Sequence, residues 1–558
     1  VIPLLTDARV QRNAPRWRSL PKLGNAAVVL LLAFIAGVLW RATSGPWWIA
    51  MPLAERWWMA GMLVVVYLLG CGWIWFRDPR RRASSFGRVA IDDTSTVVVA
   101  YASQTGMAFE LAQQTAEALN AAGISAYFTA IDRIHRDRFA QGGRLLIVAS
   151  TTGQGDPPDH AIGFLREVMD RPLSLESLRY AVLALGDRSY EQFCAFGHQL
   201  DRWLQAQQAQ RLFPVVEVDN ADPLALRHWQ TQVAEVCEAD NGIAWQSTQS
   251  DDWSLDSRIE LNANGCASSV FHLTMTPPQS KLPQWQAGDI AEVYPRHSPR
   301  LVAEWLETMG FEGAAIVQRQ GRRVTLESVL AESQLPKLNS IGEIGAFDAQ
   351  SLADRLQPLQ CREYSIASLP SEGNLQLLVR RAVRVDGTIG LCSGWLCDSL
   401  QPTEKVKLRI RSNPNFHSQA SDRPLILIGN GTGLAGLRGH LLERLESGYH
   451  ENWLLFGERN MAHDFHLREE IQAWRDQGVI KRLDLAFSRD QAERVYVQDK
   501  LREAADELQQ WVRNGAAIYV CGSLVGMAPA VDSVLRRVLG DAIVDDLLVD
   551  GRYRRDVY

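Results

Sequence analysis

Residues 96–108 read TVVVAYASQTGMA: a short apolar run, then hydroxyls and a glycine, then the start of a helical pattern at Met107. A run of this length bounded by turn residues predicts a strand buried on both faces that feeds directly into a helix. The turn between them presents hydroxyls and free backbone N–H groups at a helix N-terminus, which suits a phosphate monoester. Serine and threonine cap many helices without binding anything, so this turn alone is weak evidence for a ligand. Working outward, the stretch around Ser125–Thr129 and the runs RLLIVAS (144–150), YAVLALG (180–186) and RLFPVVEV (211–218) repeat the strand pattern, with helical stretches between them. Five strands alternating with helices predict a parallel, doubly wound α/β sheet whose ligand sits beyond the carboxyl ends of the strands.

Two further loops fall at such ends. One is Ser150-Thr151-Thr152-Gly153-Gln154-Gly155-Asp156-Pro157-Pro158, the other Leu185-Gly186-Asp187-Arg188-Ser189-Tyr190-Glu191-Gln192-Phe193-Cys194. In order and spacing the three loops resemble those of the FMN domain in diflavin reductases, such as NADPH-haemoprotein reductases and sulfite reductase flavoproteins. The resemblance implies a flavodoxin-like domain in which Ser103, Gln104, Thr105, Gly106, Met107 and Ala108 hold the FMN phosphate. It implies that Ser150, Thr151, Thr152 and Gly153 line one side of the flavin ring and Leu185 to Cys194 the other, with Tyr190 as the stacking ring. Met107 stands in place of a small polar residue and Thr152 in place of a tyrosine or glutamine, departures that predict weaker FMN binding or a shifted potential.

Downstream, RIELNA (258–263), SSVFHLTM (268–275), QLLVRRAV (376–383) and VKLRIR (406–411) read as short alternating strands. By the same resemblance they belong to an antiparallel FAD barrel within a ferredoxin-NADP reductase-like module, with a short helical insert over about 297–358. Gln286-Ala287-Gly288-Asp289 resembles the family's turn before a barrel strand. Arg362-Glu363-Tyr364-Ser365 resembles its flavin signature, which implies that Arg362 pairs with the FAD pyrophosphate, Tyr364 stacks on the flavin and Ser365 approaches its reactive edge. Guanidinium donors suit phosphate oxygens and a tyrosine ring can lie flat on the flavin. Gly390-Leu391-Cys392-Ser393 occupies the place of a second FAD phosphate loop.

The stretch PLILIGNGTGLAGLRGHLLER (424–444) is a buried strand, a glycine-rich turn containing Gly431 and Thr432, and a helix. It suits a dinucleotide pyrophosphate, though such a turn alone is weak evidence. Ser488, Arg489, Arg494, Tyr496 and Gln498 resemble the family's grip on the 2′-phosphate of NADPH, where two guanidinium groups around one dianion favour NADPH over NADH. AAIYVCG (516–522) is another buried strand, and the sequence closes with Arg555-Asp556-Val557-Tyr558. The resemblance implies that Tyr558 covers the FAD until nicotinamide displaces it, and that Ser365, Cys521 and Asp556 form the catalytic polar set around the transferring hydrogen. Taken alone, Cys521 reads as a small buried hydrophobe. Ser523 and Ala530 replace acids usual in relatives, which predicts looser nicotinamide positioning.

At 558 residues the chain exceeds one hydrophobic core. The expected division is a membrane anchor over 1–90, the FMN domain over 91–240, a linker over 241–254, the FAD barrel over 255–420 and the NADP domain over 421–558. The net charge of −6 is uneven, with about +9 in the first 90 residues and about −9 in the next 150. Eight cysteines without paired spacing indicate neither a disulfide framework nor a metal site. Residues 24–40 and 59–76 carry no internal charge and approach the roughly 20 residues of a spanning helix, which predicts two transmembrane helices ahead of the α/β domains. Arginines and a lysine flank the pair, while the connecting loop holds Arg41 and Arg56 alone, so both ends are expected on the cytoplasmic side of an inner membrane. The first histidine is His135, so the pair offers no imidazole ligands for a haem and reads as an anchor.

The resemblance therefore implies an NADPH-dependent oxidoreductase carrying FMN and FAD, with electrons passing from NADPH through FAD and FMN to a one-electron acceptor. A haemoprotein is the expected acceptor, with a ferric chelate or a sulfite reductase haemoprotein as alternatives; the membrane is an expected partner and nucleic acid is not. The acidic FMN domain suits a basic partner, and reads equally as a solvated face.

Overall fold

In the computed structural model, strand β1 (Val97–Ala102) passes through the turn at 103–106 into helix α1 (Met107–Ala121). The structure describes residues 95–558 except 135, 154, 189, 240–241, 244, 246–249, 264, 266–267, 279–283, 320, 337–347 and 420–421. The helices expected at 24–40 and 59–76 lie outside the described residues. Among the described residues no helix is long and apolar enough to cross a membrane. That finding corrects the expectation of an inner-membrane location and a membrane partner, and both are withdrawn.

β1 pairs in parallel with β2 (Ala126–Ala130) on one side and β3 (Gly143–Ser150) on the other, and β3 continues to β4 (Leu178–Gly186). The expected fifth strand is two pieces, β5 (Gln210–Arg211) and β6 (Val216–Asp219), both pairing with β4. Pro214 lies between them, and a proline cannot donate to a ladder. The apolar run in β1 is buried on both faces: Val97 and Val99 pack beneath α1 and Trp229, while Val98 and Ala100 face Phe164 and Phe196. Each of these valines contributes about 1.5–3 kcal/mol by burial. The layered order β2-β1-β3-β4-β5 puts the ends of β1, β3 and β4 side by side.

The middle of the chain forms a second, antiparallel sheet from β7 (Asp251–Glu260), β8 (Val270–Thr276), β9 (Ile290–Tyr294), β12 (Arg362–Ser365), β13 (Leu375–Arg380) and β14 (Lys405–Arg411), in the order β12-β9-β14-β7-β8-β13. Ile366 bridges Leu377, which brings the two outer strands together and closes the sheet on itself. Its interior is packed with Trp253, Leu273, Leu377 and Leu408. The insert between β9 and β12 holds helix α2 (Pro299–Met309) and also a hairpin, β10 (Ile316–Arg319) with β11 (Arg322–Thr325), that the helical reading of this stretch missed.

A third sheet is parallel throughout: β17 (Arg482–Phe487), β16 (Asn452–Glu458), β15 (Leu425–Asn430), β18 (Ala517–Gly522) and β19 (Tyr553–Val557), in that order. Helix α3 (Leu434–Glu446) follows β15 so closely that a Cβ at Gly433 would lie 2.2 Å from the Cys521 carbonyl oxygen. The strand order reverses beside β15, and that switch point is where open α/β sheets bind ligands.

The flavodoxin-like part docks on the rest through long-range polar contacts. Asp159 accepts from Arg555 Nε at 3.0 Å, and Gln104 Nε2 donates to the Arg555 carbonyl at 2.9 Å. Arg409 pairs with Glu110 of α1 and with Glu292, Arg411 donates to the Thr105 carbonyl, and Asn415 donates to that of Ser103.

Candidate functional site

Three of the expected loops meet at the ends of β1, β3 and β4. Ser103 accepts from the Gly106 N–H at 3.0 Å and its own N–H donates to His160 Nε2 at 3.0 Å, which fixes a tight turn ahead of α1. Gly106 sits at φ +93°, and no side chain caps α1. Those first-turn N–H groups, together with the Thr105 turn, fit a phosphate. In the second loop Ser150 donates to the Ala102 carbonyl, Thr151 accepts from the Phe196 N–H and Thr152 donates back to the Asp156 carbonyl. A Cβ on Gly155 would meet Gln192, so the second and third loops touch. In the third loop Arg188 lies over the Phe193 ring and Cys194 is buried, donating to the Ala184 carbonyl; burial pushes its thiol up to about 12. Tyr190 is 38% exposed, which leaves its aromatic side chain accessible at the loop. Ser189 lies outside the described residues, while Glu191 is exposed.

A cavity of about 730 Å³ opens between the closed antiparallel sheet and the carboxyl ends of β15, β16, β17 and β18. Tyr364, Ser365, Gly431, Thr432, Ser488, Tyr496, Gln498 and Tyr558, all expected from the sequence, line it. Cys521 and Asp556 lie just behind that lining, fully or nearly buried. Ser365 Oγ donates to Asp556 Oδ2 at 2.7 Å, Cys521 Sγ lies 3.7 Å from the same oxygen, and Ser365 Oγ and Cys521 Sγ are 4.0 Å apart. These three residues come from three strands, β12, β18 and β19, and the parallel pairing Cys521↔Asp556 sets their register. Burial raises the Asp556 carboxyl above the usual range, against the hydrogen bonds from Ser365 and Cys521, and burial also pushes the Cys521 thiol well up. Tyr558 is held by its backbone N–H to the Gly522 carbonyl, with its hydroxyl 3.4 Å from Thr432 Oγ1, and the residue is 56% exposed.

Most of the other expected residues stand apart from the cavity. Arg362 is exposed, donates to the carbonyls of Gln360 and Cys361, and makes no ion pair among the described residues, so its guanidinium fits an added phosphate. Glu363 lines the cavity edge and pairs with Arg411 at 2.6 Å. Cys392 receives the Tyr364 hydroxyl at 3.5 Å, and Ser393 accepts from the Ala382 N–H and donates to the Gly390 carbonyl; Gly390 precedes a short helix from Leu391 that no side chain caps. Arg489 and Arg494 are exposed and outside the lining. Sequence reading missed Arg380, Glu458 and Arg459, which do line it. The signal available was the charged pair Glu458-Arg459 directly after the buried run NWLLFG, where a parallel strand ends.

Beside the site, His440 is completely buried between Phe416 and Tyr519, with Nδ1 bonded to Ser418 Oγ, which also donates to Glu443. Burial, then the neighbouring His417 and Arg554, lowers its pKa to about 3. A histidine depressed in the folded state contributes stability that is present above its unfolded pKa near 6.5 and is lost as pH falls toward 3. Between pH 7.5 and 5 that loss is about 2 kcal/mol. His440→Phe is expected to flatten the acid side of the thermal-unfolding profile relative to the parent protein; parallel profiles would show that His440 takes up its proton while folded.

Comparison with known proteins agrees with this architecture. Residues 99–229 match the flavodoxin family and residues 427–533 the oxidoreductase NAD-binding domain family. A sulfite reductase (NADPH) flavoprotein alpha-component of Salmonella typhimurium is 30% identical over 87% of this chain and 94% of its own length. The protein of the same name from Vibrio cholerae is 31% identical over 85% of the chain and 89% of its own length. A flavodoxin module, an oxidoreductase NAD-binding module and likeness over nearly the full length of these flavoproteins place the chain in the diflavin reductase family, as an NADPH-dependent oxidoreductase that uses FMN and FAD.

Proposed function

We propose that the one-electron acceptor of this diflavin reductase is a haemoprotein of the sulfite reductase type. The observation that carries the proposal is the likeness to sulfite reductase flavoproteins across 94% of a relative's length, which spans both flavin modules and not merely one shared fold. The surplus of about nine negative charges on residues 91–240 favours a basic partner by steering.

When bound, the flavins accept a hydride and release its electrons singly, which matches a two-electron donor to one-electron acceptors. The chain's own residues divide the remaining work. Ser103 to Ala108 hold the FMN phosphate on the α1 N-terminus, while the loops at 150–153 and 185–194 flank the ring, with Tyr190 stacking on it. Arg362 and the helix start at Gly390–Ser393 take the FAD pyrophosphate, and Tyr364 lies on the flavin. Ser488, Tyr496 and Gln498 in the cavity, with the exposed Arg489 and Arg494 outside its lining, take the 2′-phosphate of NADPH. Tyr558 covers the flavin and yields to nicotinamide, and Ser365, Cys521 and Asp556 line the point where hydrogen is transferred. Domain limits near 91, 240, 255 and 421 follow from the same reading.

The test is anaerobic addition of NADPH to the protein with a purified sulfite reductase haemoprotein, and separately with a ferric chelate, following flavin bleaching and the acceptor spectrum together. Haem bands that grow in, with sulfide formed once sulfite is added, support the proposal. Reduction of the ferric chelate with no haem response overturns it.

A further inference from the structure

An ion pair inside the cavity has no part in the nucleotide contacts assigned above. Arg380, the last residue of β13, reaches from the closed sheet to Glu458 at the end of β16, and its NH2 contacts Glu458 Oε1. His466 Nε2 lies 3.5 Å from the same oxygen. Both Arg380 and Glu458 line the cavity. They stand against the glycine-rich turn: a Cβ at Gly431 would lie 2.9 Å from Arg380 NH2 and 3.3 Å from Glu458 Oε1. The Glu458 side chain is 5% exposed and that of Arg380 29%, so the carboxylate is the buried partner and the guanidinium faces the open space. Burial opposes ionisation of Glu458, but His466 and Arg380 outweigh it and hold the carboxyl down at about 2.

A guanidinium carries five N–H donors in a planar fork, and the contact with Glu458 uses one edge of it. The remaining donors meet whatever anion comes to the glycine-rich turn, and a pyrophosphate there would face Glu458 unscreened if Arg380 were absent. We propose that Arg380 is a binding residue for the dinucleotide pyrophosphate, anchored by Glu458, and that this pair, rather than the turn's backbone alone, sets affinity for the diphosphate part of NADPH. The proposal rests on the reading of the cavity as the NADPH site.

Two ligand fragments separate the diphosphate from the 2′-phosphate. ADP-ribose carries the pyrophosphate and no 2′-phosphate, whereas 2′-AMP carries the 2′-phosphate and no pyrophosphate. Calorimetric titration of the flavin-loaded full chain is expected to show the ADP-ribose Kd rising at least tenfold in Arg380→Ala, with that of 2′-AMP within twofold of the parent. Because that variant leaves a buried carboxylate without its guanidinium partner, the double variant Arg380→Ala/Glu458→Gln provides a second reading. It is expected to regain part of the lost ADP-ribose affinity, since the repelling charge is gone, yet to remain at least threefold weaker than the parent. An unchanged ADP-ribose Kd in the double variant, or an equal loss for both fragments, overturns the inference while leaving the cavity as the nucleotide site. A parent protein that binds neither fragment overturns the reading of the cavity itself.

Discussion

Asp556→Ala is expected to slow the reduction of FAD by NADPH by about 10²–10³-fold, with a much smaller effect on NADPH affinity. Nicotinamide gains positive charge as hydride leaves, and a carboxylate fixed nearby in a water-poor site stabilises that charge without reorganising. Asp556 has this character: it is 4% exposed, receives the Ser365 hydroxyl at 2.7 Å, and lies behind a wall formed by Cys521 and the cavity lining. Asp556→Asn retains the shape and one acceptor oxygen but loses the charge, so it is expected to fall between the parent and the alanine variant. Burial raises the carboxyl above its ordinary range, and the ionised form is the useful one. The parent rate should therefore climb as pH rises through that raised value, and the profile of Asp556→Asn should be flat there. Stopped-flow bleaching of the flavin under anaerobic conditions reads both quantities. Equal rates in Asp556→Ala and the parent would assign Asp556 to packing alone.

What could be read from the residues followed from how local each feature is. β1, its turn and α1 lie within 25 residues, and a buried strand feeding a helix leaves its signature in apolar runs and turn chemistry. The glycine-rich turn after β15 and the buried run of β18 were legible for the same reason. The hairpin at Ile316–Thr325 was not, because Arg319, Arg322 and Arg323 give it no apolar alternation. Nor were Arg380 and Glu458, which lie 78 residues apart and become partners when the closed sheet packs against β16. The docking contacts are more distant still, with Asp159 and Arg555 separated by 396 positions. Charge pairs of that kind have no period, and each member alone looks like a solvated surface residue. The correction on location has another origin: hydropathy predicted spanning helices at 24–40 and 59–76, beyond the described residues, and no described helix has that length and apolar character.

Those docking contacts also bear on Gly106, whose replacement by valine is expected to remove FMN from the purified protein almost entirely while leaving FAD in place. Two independent costs meet at this position. Its φ of +93° is a conformation that a β-branched residue adopts at a cost of about 1–3 kcal/mol. A Cβ there would also lie 2.5 Å from the Ser412 carbonyl oxygen on the opposing module, a backbone atom with little room to retreat. Undocking the two modules would relieve the second cost and leave the first. The strained turn would then relax by moving the Gly106 N–H away from Ser103 and tilting the first turn of α1, whose uncapped N–H groups are the proposed phosphate seat. Glu110→Ala serves as the control, since it removes the ion pair to Arg409 across the interface without altering the turn. Flavin extracted from Gly106→Val and quantified against FAD should give an FMN ratio near zero, with NADPH still bleaching the remaining FAD and electron delivery to a haemoprotein lowered at least 10²-fold. Glu110→Ala should retain FMN. Full FMN content in Gly106→Val would move the phosphate seat away from this turn, and FMN lost equally from both variants would make docking, rather than the turn, the element that retains the cofactor.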